Sequence, residues 1–207
     1  MASAPDVPAR GVRLPRDQRR AQLLRAAREI FVAQGFHAAA MDEIAVRAGV
    51  SKPVLYQHFP SKLELYLALL DETKDDLLDH LHRALASTDD NKLRVQATVS
   101  AYFEFVDNDS GAYRLLFESD LPNEPAVKLR LDRLNELCSQ EISQIIAEDT
   151  GLPPEESTLL AVGLVGIAHV TARYWLSSGG SIPRSTAAEL VATLGWRGIR
   201  GFPKVDG

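Results

Sequence analysis

Cysteine is almost missing from this chain of 207 residues: Cys138 stands alone, so no internal disulfide can hold the fold. Aromatic residues are sparse at 7%, and tryptophan occurs only twice. The longest apolar stretch, around residues 159–170, is interrupted by Gly163 and Gly166 and reads as too short for a membrane span. No apolar h-region follows the basic N-terminus, so no secretory signal is expected. These absences point to a cytoplasmic chain without a membrane partner. Cys138 falls on an apolar helical stripe and reads as a buried structural thiol. The sequence also lacks CxxC, HExxH, GxSxG, P-loop and dinucleotide-type glycine motifs. His80 and His82 stand two apart on a helix and point away from each other, a poor metal pair. No metal, cofactor or catalytic group is expected, and the chain reads as a non-enzyme.

A net charge of −5 argues at first against a polyanionic partner. Its distribution argues the other way. Residues 1–62 hold 10 Lys/Arg against 5 Asp/Glu, whereas residues 63–207 hold 13 against 23. A basic head on an acidic body would orient the molecule on a polyanion. The acidic run Asp71, Glu72, Asp75, Asp76 and Asp79 repeats at helical spacing and reads as a solvated face.

Periodicity is helical throughout, and no segment alternates like a strand, so the fold class is all-α. Residues 1–14 lack a period and read as a flexible basic arm, able to lie in a minor groove or to act as a solvated electrostatic tail. A first helix starts near Pro15–Asp17 and ends at Gly35; a second carries Met41, Ile44 and Ala45 inward and stops at Gly49. Ser51 caps a third, with Pro53 in its first turn and Leu55 and Phe59 facing the core. Pro60 ends it, and Ser61-Lys-Leu-Glu64 is a capping box for a fourth helix reaching about residue 86. Further helices are expected near 92–106, to 119, 126–148, 155–177 and 184–200, separated by Gly, Pro and Asp/Asn clusters.

The stretch from Met41 to Phe59 has the grammar of a helix-turn-helix, in which the second helix enters the major groove of DNA. Its outward set is Lys52, Pro53, Val54, Tyr56, Gln57 and His58. Gln57 suits an adenine edge, Val54 a thymine methyl, and Tyr56 and Lys52 the phosphates. Lys62, with the first-turn N–H groups of the next helix, offers another anion site. Arg19 and Arg20 add positive charge beside it.

Ile30-Phe31, Gly35-Phe36, Asp42-Glu-Ile-Ala45, Ala48-Gly-Val-Ser51, Leu55-Tyr56, His58-Phe59 and Ser61-Lys62 together resemble the TetR family of transcriptional regulators. The resemblance covers roughly residues 18–77. It implies an N-terminal three-helix helix-turn-helix domain (15–77, motif about 40–59) and a C-terminal helical dimerisation and effector domain (78–207). It further implies a homodimer on a palindromic double-stranded operator, acting as a repressor released by a small-molecule effector. Met41 and Ser51 join the DNA-contact set on the same ground. Two positions depart from the family pattern: Ala40 replaces a common capping threonine, so that its phosphate contact would pass to the Met41 backbone or to Asp42, and Pro53 replaces a frequent glycine. The alternatives are a regulator that activates or needs no effector, and a helical scaffold without DNA activity.

In the C-terminal half, Gly163, Gly166 and Ala168 on one helix and Ala187, Leu190, Val191 and Leu194 on the last suggest each subunit's share of a four-helix dimer interface. Tyr102, Phe105, Tyr113, Phe117 and Tyr174, with His169 and Arg173, are candidate lining for an effector pocket, though aromatics at such spacings also make ordinary core.

Overall fold

The computed structural model describes residues 14–108, 110–117, 121 and 123–199. The expected basic arm lies, but for Leu14, outside the described residues. Among the described residues all regular structure is helical, in nine helices: α1 (Arg16–Ala38), α2 (Met41–Arg47), α3 (Lys52–His58), α4 (Lys62–Leu85), α5 (Asn91–Asn108), α6 (Ser110–Phe117), α7 (Pro125–Thr150), α8 (Pro154–Ser177) and α9 (Arg184–Ile199).

The punctuation read from the sequence acts through identifiable backbone geometry. Gly35 adopts φ 78° and breaks the helical path inside α1. Gly49 adopts φ 65°, while its N–H bonds to the Val46 carbonyl and the Val50 N–H to the Ala45 carbonyl. That pair of bonds closes the end of α2 and turns the chain toward α3. The Ser61 hydroxyl accepts from the Glu64 N–H at 3.0 Å, so the capping serine is in place. Ser51 differs: it occupies the N-terminal boundary of α3, but its side chain makes no capping hydrogen bond. Pro53 in the first turn removes one of the N–H groups that needed a cap, which lowers the demand on Ser51.

One core runs the length of the molecule. Leu23, Ala27, Ile44, Leu55 and Leu65 are buried at the end that carries α1 to α3, joined by Phe31, which meets Tyr66 edge-on with ring centroids 5.1 Å apart. The core continues along α4 through Leu69, Leu70 and Leu77 into Phe103, Val106 and Leu116. Helix α4 therefore belongs to both ends, packing on α1 and on α5, α6 and α7. Arg130 reaches Asp71 at 3.1 Å and His82 reaches Glu141 at 3.6 Å, so α4 and α7 run parallel. Arg94 donates to the Leu85 carbonyl at 3.0 Å and His80 lies 6.2 Å from Phe105, so α5 returns antiparallel to α4.

Helix α8 corrects one sequence expectation. It extends beyond the apolar run at 159–170 to 24 residues with mean hydropathy 1.5, long and apolar enough by length and composition to cross a membrane. Little of that surface is covered within the chain. Leu159, Val162, Val170 and Tyr174 are exposed along one stripe, and Leu190 and Leu194 of α9 are exposed as well.

Candidate nucleic-acid interface and effector cavity

Helix α3 is held by its buried face, on which Leu55 and Phe59 are almost inaccessible. Its other face is open: Lys52, Pro53, Tyr56 and Gln57 are exposed, and Val54 and His58 are half-buried at its margins. The Lys52 ammonium lies 2.8 Å from Asp42, and that hydrogen bond and charge raise its pKa. Both groups are exposed, so the pair can exchange for a phosphate at little cost.

The N-terminal turns of α1 form a basic wall beside this face. The Arg20 guanidinium lies 4.5 Å from the centroid of the Phe59 ring. Arg19 donates to Gln22 at 2.7 Å, and Gln22 in turn donates to the Ala48 carbonyl at 2.8 Å. This relay fixes the end of α2 against α1, so the angle of α3 is set by hydrogen bonding as well as by packing. Burial, and then the charges of Arg16, Arg20 and Arg19, push the His58 pKa down. Arg16, read from the sequence as one of the arginines of the basic N-terminal stretch, lies in the first turn of α1, one helical turn before Arg19 and Arg20.

Met41 is buried with its side chain inward, as expected, so only its backbone N–H at the start of α2 can face a phosphate. One expected contact is placed otherwise. Lys62 points at its own chain: Nζ donates to the carbonyls of Phe36 at 2.7 Å, Ala39 at 2.9 Å and His37 at 3.2 Å. It also lies 4.6 Å from the Phe36 ring centroid. An ammonium with three donors can serve all three carbonyls at the end of α1. Lys62 is thus a capping group for the end of α1.

The second feature is a cavity of about 120 Å³ between α4, α5, α7, α8 and α9, opening into a wider solvent-filled space of about 990 Å³. Stripes at three-to-four spacing line it: Val95, Thr98, Val99 and Tyr102 on α5, and Cys138, Ile142, Ile145 and Ile146 on α7. Leu164, Val165 and Ala168 close it from α8, and Val191, Gly195 and Trp196 from α9. The polar members of the lining include Asn91 and Arg94 in the first turns of α5 and Asp149 and Thr150 in the last turn of α7, with Arg94 donating to the Leu85 carbonyl at 3.0 Å. Cys138 is buried as expected, with burial pushing its thiol up to about 12, and it also faces this space.

Of the seven sequence candidates for a pocket, only Tyr102 lines the cavity. Tyr113, Phe117 and His169 form a neighbouring cluster, with Phe117 and His169 ring centroids 4.4 Å apart. Phe105 is buried against His80, while Arg173 and Tyr174 turn outward on α8. Most of the candidate aromatics went to the core, and the cavity is lined mainly by aliphatic side chains, with Tyr102 and Trp196. Separation between helices, which makes the difference, is not written in the spacing of either one.

A family description of bacterial regulatory proteins, tetR family, matches residues 23–69, which carry the whole of α2 and α3. The HTH-type transcriptional activator FasR of Mycolicibacterium smegmatis (strain ATCC 700084 / mc(2)155) is 49% identical over 194 residues, 94% of this chain and 89% of that protein. This chain belongs to the TetR family. It is accordingly a DNA-binding transcriptional regulator of a non-enzymatic family. Among solved structures, a TetR-like regulator from Rhodococcus sp. RHA1 superposes with TM-score 0.75 at 27% identity, covering 91% of this chain and all of the other (100%). FadR of Bacillus subtilis, solved in complex with stearoyl-CoA, shares the fold with TM-score 0.73 at 16% identity, covering 84% of this chain and 96% of that one.

Proposed function

We propose that this TetR-family protein is a homodimer that reads a palindromic operator and leaves it when a long apolar chain enters the cavity. Residues 15–77 carry the DNA contacts and residues 78–207 the dimer face and effector site, with α4 shared between the two tasks. The contact set is Lys52, Pro53, Val54, Tyr56, Gln57 and His58, flanked by Arg19 and Arg20 and by the backbone at Met41 and Ser51. Deleting residues 1–14 would weaken binding and flatten its salt dependence, because the arm supplies phosphate or minor-groove charge. The regulator works where its operator is, in the cytoplasm.

The observation that carries the effector reading is the cavity's polarity: mainly aliphatic walls, with polar members Asn91 and Arg94 on α5 and Asp149 and Thr150 on α7. Such a space fits an acyl chain carrying a hydrogen-bonding head. The stearoyl-CoA bound by FadR of Bacillus subtilis, a protein of the same fold, supports that chemistry. Dimerisation rests on the uncovered stripe of α8 and α9. A Cβ at Gly163 or Gly166 would meet nothing within 4 Å, so close approach there is reserved for a second subunit.

Release follows if the effector favours a conformation in which the two recognition helices no longer match half-sites about 34–36 Å apart. The 49% identical relative is an activator, and on that ground activation is the reading favoured here over the repression that the family resemblance implied. Selection of bound duplexes from a random library tests the operator reading. A palindrome with half-sites about one DNA turn apart is expected, and weak salt-sensitive binding without a motif would reject it. Transcription in vitro from a promoter carrying that operator then decides the sign. Adding the protein raises transcript yield if it activates and lowers it if it represses.

A further inference from the structure

At the end of the cavity away from Arg94, the Tyr102 hydroxyl lies 3.1 Å from His169 Nδ1. Tyr102 is buried there beside Cys138, and burial holds the phenol protonated and pushes the imidazole toward its neutral form. The His169 ring packs on Phe117 at 4.4 Å and lies 6.2 Å from Tyr113, both on α6. Helix α6 packs on α1 and α4, and the Leu115 carbonyl accepts from Tyr66 of α4 at 3.2 Å. A contiguous set of contacts thus leads from the inner wall of the cavity to the helices that hold α3.

We propose that Tyr102 sets the chain length that triggers release: a chain reaching the inner end displaces the hydroxyl from His169, whereas a shorter chain occupies the cavity without doing so. The inference rests on the acyl reading above and adds the residue that discriminates within it. The packing supplies the physical reason. The His169 ring is in contact with Phe117, so a shift of His169 must be taken up by α6 in a close-packed interior. A chain ending short of Tyr102 leaves that hydrogen bond intact.

Length follows from helical rise. Arg94 and Tyr102 are eight residues apart on α5, about 12 Å along its axis. An extended hydrocarbon advances about 1.25 Å per carbon, so about ten carbons inward of Arg94 reach the tyrosine.

The experiment uses the full chain, the selected operator duplex and a series of saturated acyl-CoA thioesters from short to long. Calorimetry follows binding to the protein, and fluorescence anisotropy follows release of DNA. In the wild type, short thioesters should bind without release and long ones should release DNA as they bind. Tyr102→Phe, which keeps the ring and loses the hydroxyl, should let chains below the wild-type threshold release DNA, with at least a tenfold gain in potency. Cys138→Phe fills the same end and should weaken long-chain binding at least tenfold more than short-chain binding. Release that tracks occupancy at every length, or a threshold unmoved by Tyr102→Phe, would overturn the assignment while leaving the acyl reading intact. Failure of every thioester to bind would overturn both.

Discussion

The Tyr66 hydroxyl donates to the Leu115 carbonyl at 3.2 Å, a buried hydrogen bond between α4, which follows the helix-turn-helix, and α6. Tyr66 also packs edge-on against Phe31 and Phe36 of α1. One side chain of α4 therefore touches both α1 and α6. Tyr66→Phe keeps the ring contacts and removes the donor, at a cost of about 0.5–1.5 kcal/mol. For a chain of this size the melting temperature should fall by about 2–4 °C per kcal/mol. Calorimetric melting checks it, and an unchanged midpoint would mean that the Leu115 carbonyl is satisfied equally well without Tyr66.

Lys62 separates a structural role from a DNA-binding one. Its ammonium is engaged by the carbonyls of Phe36, His37 and Ala39. Lys62→Met keeps most of the stem and removes the donors, and about 1.5 kcal/mol of stability should go with them, at the low end for charged hydrogen bonds because the site is partly solvated. Operator affinity should keep its dependence on salt. A residue neutralising a phosphate would instead lower the salt slope by about one. Salt titrations of wild type and variant, run beside melting curves, distinguish the two roles.

Lys62 also marks the boundary of what the sequence made legible. Helix boundaries followed from local chemistry, because Gly35, Gly49, Pro60 and the Ser61–Glu64 box each act on backbone groups within a few residues. The outward face of α3 was legible for the same reason, since Leu55 and Phe59 fix which side is inward. Lys62 went astray because its partners lie 23 to 26 residues earlier, brought near only by tertiary packing. The cavity was illegible on a larger scale. Ile142, Ile145 and Ile146 read as an ordinary core stripe, and nothing local says that α5 and α9 stand off from them. The inward side chain of Met41 was legible as well, because it shares an apolar stripe with Ile44 and Ala45.

His58 gives the operator complex a pH signature. Burial, followed by Arg16, Arg20 and Arg19, lowers its pKa, so the folded protein binds a proton less readily than the unfolded chain. With the folded value depressed, this group's contribution to stability is present above the unfolded value of about 6.5 and is lost as pH falls from there through the lower folded value. A phosphate beside His58 reverses the bias by favouring the imidazolium. Operator affinity should then rise as pH drops from about 7.5 toward 6, with proton uptake on binding. Anisotropy titrations across that range, with His58→Gln as control, measure it. A slope that persists in His58→Gln would assign the proton uptake to another group.

The uncovered face of α8 makes the most direct prediction about assembly. Gly163 is exposed and a side chain there would meet nothing within 4 Å, so Gly163→Leu is accommodated by a single subunit. It sits one turn from Leu159 and Gly166 on the stripe that continues through Val170 and Tyr174, the last 74% exposed. If two subunits close on that stripe, an added isobutyl group separates their helices where small residues allow approach. Sedimentation should show a monomer, or a dimer weakened at least tenfold, with helicity retained by circular dichroism. Operator affinity should fall with it, because a palindrome rewards two linked recognition helices and a monomer presents one. Val162→Glu, on the same face, should act in the same direction by placing a charge in the contact. An intact dimer in both variants would move the interface off α8 altogether.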